Sequence, residues 1–174
     1  MTKKEILDAI HGKMIISCQA VEGEPLYVEE KSIMYLMARA AKQAGTPAIR
    51  TSSIRDVIAI KEETGLPVIG LVKIQYLGYE GYITPTMKEV DDLVAAGSDV
   101  VALDCTLRKR GDGSTVNEFI AQIKEKYPDI ILMADISNYE EGINAWKCGV
   151  DIVGTTMSGY TAVSYTHLTL PTIL

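Results

Sequence analysis

The sequence is short of the residues that build metal centres and disulfide frameworks. It has two histidines, His11 and His167, and three cysteines, Cys18, Cys105 and Cys148. Two histidines argue against a His-rich metal site and against a Ser-His-Asp hydrolase. Three cysteines cannot pair off completely; each stands singly in apolar surroundings, and no C-x-x-C occurs. They read as buried, reduced thiols, which points to the cytoplasm. No apolar run approaches the roughly 18 residues that a membrane span needs. The opening Met1-Thr2-Lys3-Lys4-Glu5-Ile6-Leu7-Asp8 lacks the apolar centre of a signal peptide. The 17 basic residues are scattered and outnumbered by 23 acidic ones, for a net charge of −6. That balance speaks against nucleic acid or an anionic membrane as partner. What is plentiful is apolar surface: 47% of the 174 residues are hydrophobic and 23% charged, as in one folded domain with a core to bury.

A punctuation mark recurs along the chain. Gly45-Thr46-Pro47-Ala48, Gly65-Leu66-Pro67-Val68, Gly97-Ser98-Asp99-Val100 and Gly149-Val150-Asp151-Ile152 each follow a helical pattern and precede an apolar run; Tyr127-Pro128-Asp129-Ile130 is a version without glycine. A glycine suits the left-handed position that ends a helix, and the Pro or Asp supports a short turn into a strand. Between the joints lie helical stripes: Ile33, Leu36, Met37, Ala40, Ala41 and Ala44; Ile54, Val57 and Ile58 behind Ser53; Val90, Leu93 and Val94 behind the capping box Thr86-Met87-Lys88-Glu89; Phe119, Ile120 and Ile123 behind Thr115-Val116-Asn117-Glu118; and Ile143 and Trp146 behind Asn138. The apolar runs Met14–Cys18, Ala48–Ile49, Val68–Val72, Val100–Leu103, Ile130–Ala134 and Ile152–Gly154 do not alternate cleanly, as expected of parallel strands buried on both faces. Strand and helix in regular succession predict a parallel α/β fold.

The residues closing these runs favour a barrel over an open sheet. They are Gln19, Arg50, Lys73, Asp104, Asp135 and Thr155, polar every time. In a (β/α)8 TIM barrel such ends converge on one mouth, whereas an open sheet carries a glycine-rich first turn. Gln19-Ala20-Val21-Glu22-Gly23-Glu24-Pro25 is no such turn. Six βα units are not eight, and 174 residues fall below the roughly 250 of a typical barrel. From Val163 to Leu174 there is no helical period, cap or further joint. The expectation is an incomplete TIM barrel over residues 1–162, cut off after its sixth strand and followed by a non-native tail over 163–174.

Lys73 carries the strongest chemical signal, because it closes the apolar run Val68-Ile69-Gly70-Leu71-Val72. It is either a lysine reaching for the rim, a phosphate anchor, or an amine in a partly dry pocket with a lowered pKa, able to act as base or Schiff-base former. Tyr76, three residues on, could donate a hydrogen bond to substrate. Arg50 and Gln19 lie at neighbouring strand ends; the arginine fork suits a carboxylate, phosphate or polarised carbonyl, or an ion pair with Asp104 or Asp135. Arg108-Lys109-Arg110 reads as a solvated loop that at a strand end could also attract an anion.

Together these segments resemble a known family. Ser17-Cys18-Gln19-Ala20, Gly23-Glu24-Pro25-Leu26, Ile49-Arg50, Gly70-Leu71-Val72-Lys73, Ile83-Thr84-Pro85-Thr86, Ala102-Leu103-Asp104, Arg108-Lys109-Arg110, Met133-Ala134-Asp135-Ile136-Ser137 and Val153-Gly154-Thr155-Thr156-Met157-Ser158-Gly159-Tyr160-Thr161 are similar, in order, to the N-acetylmannosamine-6-phosphate 2-epimerases. The resemblance implies a ribulose-phosphate-binding type of TIM barrel. It implies an isomerase of bacterial sialic-acid breakdown that interconverts N-acetylmannosamine 6-phosphate and N-acetylglucosamine 6-phosphate, with no metal or organic cofactor. Lys73 matches the family's catalytic lysine, which moves the proton at C2 of the open-chain sugar. Gln19 and Arg50 match contacts to the sugar oxygens, Asp135 matches a polar residue supporting the site, and Thr155 is taken with Tyr76 as substrate-binding. The resemblance also allows a homodimer. The family's seventh strand, with a catalytic glutamate, and its glycine-rich phosphate turn have no counterpart here. Val163-Ser164-Tyr165-Thr166-His167-Leu168-Thr169-Leu170-Pro171 looks instead like read-through of foreign sequence, so the chain as given is expected to turn over poorly. A lysine Schiff-base aldolase and a non-catalytic partial barrel are the competing readings.

Overall fold

The computed structural model describes residues 1–164. Its elements run α1 (Lys3–Ile10), β1 (Ile16–Ser17), α2 (Met34–Gln43), β2 (Ile49–Ser52), α3 (Ile54–Thr64), β3 (Val68–Leu71), α4 (Met87–Ala95), β4 (Val100–Asp104), α5 (Val116–Lys126), β5 (Ile131–Asp135), α6 (Tyr139–Lys147) and β6 (Ile152–Gly154), ending in a 3-10 turn over Ala162–Ser164. The six strands pair in sequence order and every pairing is parallel. A helix therefore carries the chain back between neighbours, and the sheet curls as part of a TIM barrel.

Two hydrophobic clusters mark the two faces of that sheet. Ile69 and Leu71, Val100 and Ala102, and Ile131 point to the barrel interior, together with Ile6, Ile83 and Met157. Val68, Val101, Leu103, Leu132 and Ala134 pack outward against Val57, Ile60, Leu93, Phe119, Ile120 and Ile123 of the surrounding helices. Successive side chains of a strand alternate between the faces. Because both faces are apolar, the alternation is hidden in the sequence and plain in the structure.

Local signals explain most of the boundaries. The joint at Gly65 ends α3 with φ 65°, a left-handed conformation costing a glycine little, and its amide donates to the Lys61 carbonyl. Ser53 accepts from the Asp56 amide at the start of α3. The Thr115 amide donates to Glu118 at 2.7 Å while Thr115 Oγ1 accepts from the Glu118 amide at 3.2 Å, closing the expected capping box.

Other features differ from the sequence reading. Helix α1 was not expected, although Thr2 and Glu5 form the same capping box. On α2, Met34, Ala38 and Ala41 are buried, whereas Leu36 and Met37 are exposed. This helix is apolar around much of its circumference, so its period supports two phases, and the face with small alanines is the one turned inward. On α6 it is Glu141 and Ala145 that are buried, and Trp146 is exposed. Glu141 is held inside by the Ser137 amide and hydroxyl, both at 2.7 Å, and this fixes the helix's rotation. Of the expected tail, residues 165–174 lie outside the described residues. Ser164 Oγ accepts from the Gly159 amide at 3.1 Å.

Candidate active site

The alternation that sorts the core also sorts the mouth. Residues in phase with the interior toward the strand ends are Ser17, Arg50, Ser52, Asp104, Met133, Asp135 and Gly154, with Gln19, Lys73 and Thr156 just beyond strand ends. A cavity of about 330 Å³ opens there, lined by Ser17, Gln19, Arg50, Lys73, Tyr82, Ile83, Thr156, Met157 and Tyr160. The carboxyl ends of the strands are where TIM barrels build active sites. A second cavity, of about 360 Å³, lies at the opposite end among Lys3, Ile6, Asp99 and Ile130.

Arg50 is the second residue of β2, not its last. It is buried in the cavity wall and makes a two-pronged ion pair with Asp135 of β5: Nη1 donates to Oδ1 at 3.0 Å and Nη2 to Oδ2 at 2.6 Å. Asp135 has no exposed side-chain surface, and Arg50 keeps 12%. Of the two expected alternatives for Arg50, the partner is Asp135. Asp104 is occupied elsewhere, accepting from Arg108 Nη2 at 2.6 Å and from the Thr106 amide at 3.0 Å.

Lys73 follows β3 by two residues and makes no ion pair or hydrogen bond with any described residue. Its position is set by a short hairpin: Lys73 and Ile83 form an antiparallel bridge, the Thr84 amide donates to the Val72 carbonyl at 2.7 Å, and the Ile74 amide to the Tyr82 carbonyl at 2.9 Å. It stands exposed at the rim, not in the partly dry pocket expected of it. The strand stops at Leu71; Val72 still packs on the outer core, and the hairpin turns Lys73 toward solvent. Gln19 is half-buried; its Nε2 donates to Ser17 Oγ at 2.7 Å, and its Oε1 is buried without a partner among the described residues.

Two expected substrate contacts are not brought to this cavity. The Tyr76 hydroxyl donates to Glu89 Oε1 at 2.8 Å, while the other Glu89 oxygen accepts from the Thr86 amide at 3.0 Å. Glu89 is only 3% exposed, and a buried carboxylate must be supplied with donors; the capping box thus captures the tyrosine, whose pKa is raised by that bond. Thr155 is out of phase with the interior, and its neighbour Thr156 lines the cavity in its place. The Arg108-Lys109-Arg110 run is not simply a solvated loop. Arg110 is buried, its guanidinium 4.0 Å from the Phe119 ring centre and 5.5 Å from that of Tyr79, with Nη2 donating to the Pro85 carbonyl. Burial pulls its pKa down.

The residues that sequence reasoning passed over are Ser17, Tyr82, Ile83, Thr156, Met157 and Tyr160. Ser17 and Thr156 could have been found from their phase with Gln19 and Gly154. Tyr82, on a loop, gave no periodic signal. Burial pushes the Tyr82 phenol up, with Asp104 adding to the effect. Among the described residues no group of three or more His, Cys, Asp or Glu side chains could hold a metal ion. An arginine locked in place, an unpaired amine and an unsatisfied amide oxygen around one cavity suit the polarisation of a carbonyl beside a proton to be moved.

Comparison with known proteins agrees with this geometry. Residues 34–169 match the family described as "Putative N-acetylmannosamine-6-phosphate epimerase". A protein of that name, a 2-epimerase from Caldanaerobacter subterraneus subsp. tengcongensis, is 52% identical over 160 residues, covering 92% of this chain and 67% of its own length. One from Clostridioides difficile is 48% identical over 161 residues, with 92% and 70% covered. The structurally and biochemically characterised N-acetylmannosamine-6-phosphate 2-epimerase from Clostridium perfringens superimposes with a TM-score of 0.84 at 48% identity, covering 91% of this chain and 68% of that one. The chain thus spans about two thirds of the length of these relatives. With its partial barrel, its ordered motifs and these matches, the chain belongs to the N-acetylmannosamine-6-phosphate epimerase family.

Proposed function

We propose that this chain carries the proton-transfer site of an epimerase that interconverts N-acetylmannosamine 6-phosphate and N-acetylglucosamine 6-phosphate. The observation that carries the reading is Lys73: an amine without an ionic partner among the described residues, in one cavity with the Arg50–Asp135 pair. In the open-chain sugar the C2–H bond lies beside the C1 carbonyl. Its breakage sends the proton to the Lys73 amine and the electron pair into a C1–C2 enolate. Arg50 has five N–H donors; two go to Asp135 and Nη1 also donates to the Met133 sulfur at 3.8 Å, and the remaining N–H groups are available to the developing enolate oxygen. Asp135 acts as a positioning residue that fixes the guanidinium. Delivery of a proton from solvent water to the opposite face of C2 inverts the centre, and the Lys73 ammonium gives its own proton up to water to restore the amine. Gln19, through its unsatisfied oxygen, is suited to accept from a sugar hydroxyl.

The reading carries with it a cytoplasmic location, supported by free cysteines of which Cys18 and Cys105 are buried. Homodimerisation rests on the family resemblance and is open to measurement by light scattering.

The test follows C2 by proton NMR in deuterium oxide, with N-acetylmannosamine 6-phosphate as substrate. Deuterium at C2 together with formation of N-acetylglucosamine 6-phosphate is the expected result. Among the described residues the sheet ends at β1 and β6, so the mouth lacks a wall there and the 174-residue chain is expected to turn over slowly. A borohydride-trapped adduct on Lys73 without exchange at C2 would overturn the reading in favour of Schiff-base chemistry.

A further inference from the structure

The cavity lining is of two kinds. Ser17, Gln19, Arg50, Lys73 and Thr156 are its polar part. Tyr82, Ile83, Met157 and Tyr160 are its apolar and aromatic part, and Ile83 and Met157 are 4% and 1% exposed in the interior core. Tyr82 is not a loosely held loop residue. Its carbonyl accepts from the Ile74 amide at 2.9 Å, and Ile83 bridges to Lys73. At Gly81, just before it, an added Cβ would lie 2.8 Å from Asp104 Oδ2, so the backbone is pressed against the end of β4. The phenol has no hydrogen-bond partner among the described residues, and burial keeps it protonated. The mechanism above makes no use of this ring.

We propose that Tyr82, backed by Ile83 and Met157, receives the N-acyl group of the substrate and sets the length of acyl chain accepted. The inference rests on the epimerase reading and deepens it. An N-acyl hexosamine phosphate has one wholly apolar group, the acyl methyl; its other carbons bear oxygen or nitrogen. Carbon 2 bears a hydrogen, C1, C3 and the acylated nitrogen. With the hydrogen toward Lys73 and the C1 oxygen toward Arg50, the acylated nitrogen and C3 remain, and of what they carry only the acyl methyl matches the apolar part of the lining. One methylene gained or lost against such a wall is worth about 10–200-fold in discrimination.

The experiment compares kcat/KM for exchange at C2 among the N-acetyl, N-propanoyl and N-butanoyl mannosamine 6-phosphates. Tyr82→Ala opens the wall and should raise the propanoyl-to-acetyl ratio about tenfold. Tyr82→Phe keeps the ring and should leave the ratio unchanged, while Tyr82→Trp narrows the wall and should lower it. A ring that merely props up the hairpin would slow all three substrates alike and leave the ratios constant, which overturns the inference. Should Tyr82→Ala lose its cooperative melt, the Trp and Phe variants decide by the same ratios. No exchange with any acyl substrate in the wild-type protein would overturn the epimerase reading and this inference together; wild-type exchange with constant ratios overturns the inference alone.

Discussion

Arg50 and Asp135 meet inside the barrel as a two-pronged ion pair, joining β2 to β5 across the space between two strands that lie between them in the sheet. Neither strand hydrogen-bonds to the other, so the pair ties together parts of the sheet that its backbone ladder does not. It also leaves Lys73 as the cavity's unpaired cation among the described residues.

Breaking that pair on one side strands a largely buried charge. Asp135→Ala is expected to destabilise the fold by about 3–5 kcal/mol, the range for an orphaned buried charge. Replacing both partners, Arg50→Met with Asp135→Leu, should restore most of the loss while abolishing exchange at C2. Urea unfolding of the three variants measures both parts of this expectation; equal stability of the single and double variants would contradict it.

Lys73→Ala should separate chemistry from folding. The side chain is exposed and bonds to no described residue, so the midpoint of unfolding should hardly move. Exchange at C2 should fall by about 10²–10⁴-fold, the usual contribution of a general base. Retention of more than about a tenth of the wild-type rate would mean that the base is another group.

Gly70 is fixed by the space around it and not by its backbone angles. A Cβ there would fall on Ser98 Oγ and lie 2.9 Å from Leu93 Cδ2, where α4 rests on β3. Gly70→Ala is expected to cost about 1–3 kcal/mol by overpacking. Ser98→Gly in the same chain should recover part of that loss, since it removes the nearest obstacle; thermal melts of the single and double variants show whether it does.

At acid pH the surface contacts between α4 and α5 and between α2 and α3 should weaken. Asp91 has a lowered pKa because Lys126 and Tyr127 donate to it, and Glu63 is lowered likewise by Arg39. A carboxylate whose pKa is depressed on folding adds stability above its unfolded pKa, about 3.9 for Asp and 4.3 for Glu, and loses it as pH falls through the folded value. Asp91→Asn and Glu63→Gln should therefore flatten the drop in melting temperature below about pH 4. They should also lower that temperature at neutral pH. An unchanged acid limb in the double variant would show that these contacts are not maintained in solution.

The features legible in the sequence were those whose cause is local. Gly65 announced the end of α3, and Thr115 with Glu118 announced the start of α5, because each acts through its own neighbours in the chain. The strand-end residues Gln19 and Lys73 could be placed at one mouth because they follow apolar runs. What could not be read was the rotation of elements about their own axes. Leu36 and Ala38 are both compatible with a helical stripe, and only packing against the rest of the fold selects Ala38. Thr155 and Thr156 are neighbours in a strand-end turn, and only the phase of β6 turns Thr156 to the cavity. Tyr76 was expected at the site and Tyr82 was passed over, because nothing local to Tyr76 shows that the capping carboxylate of Glu89 takes its hydroxyl.

Helix α1 gives the barrel a floor and, with it, an order of assembly. Ile6 is inserted among Ile69, Val100 and Ile131 of the interior, and Lys3 forms an ion pair at 2.8 Å with Asp151 at the entry to β6. Each βα unit can dock on the one synthesised just before it, since neighbours in the sheet are neighbours in the chain. The floor cannot be finished that way: its latch joins α1 to the residue that precedes β6. Contacts between residues so far apart in sequence carry the largest loop-closure entropy and form slowly. A ribosome-bound chain would therefore hold its first strands in register well before Lys3 finds Asp151, and that contact is the one that waits for β6 to emerge.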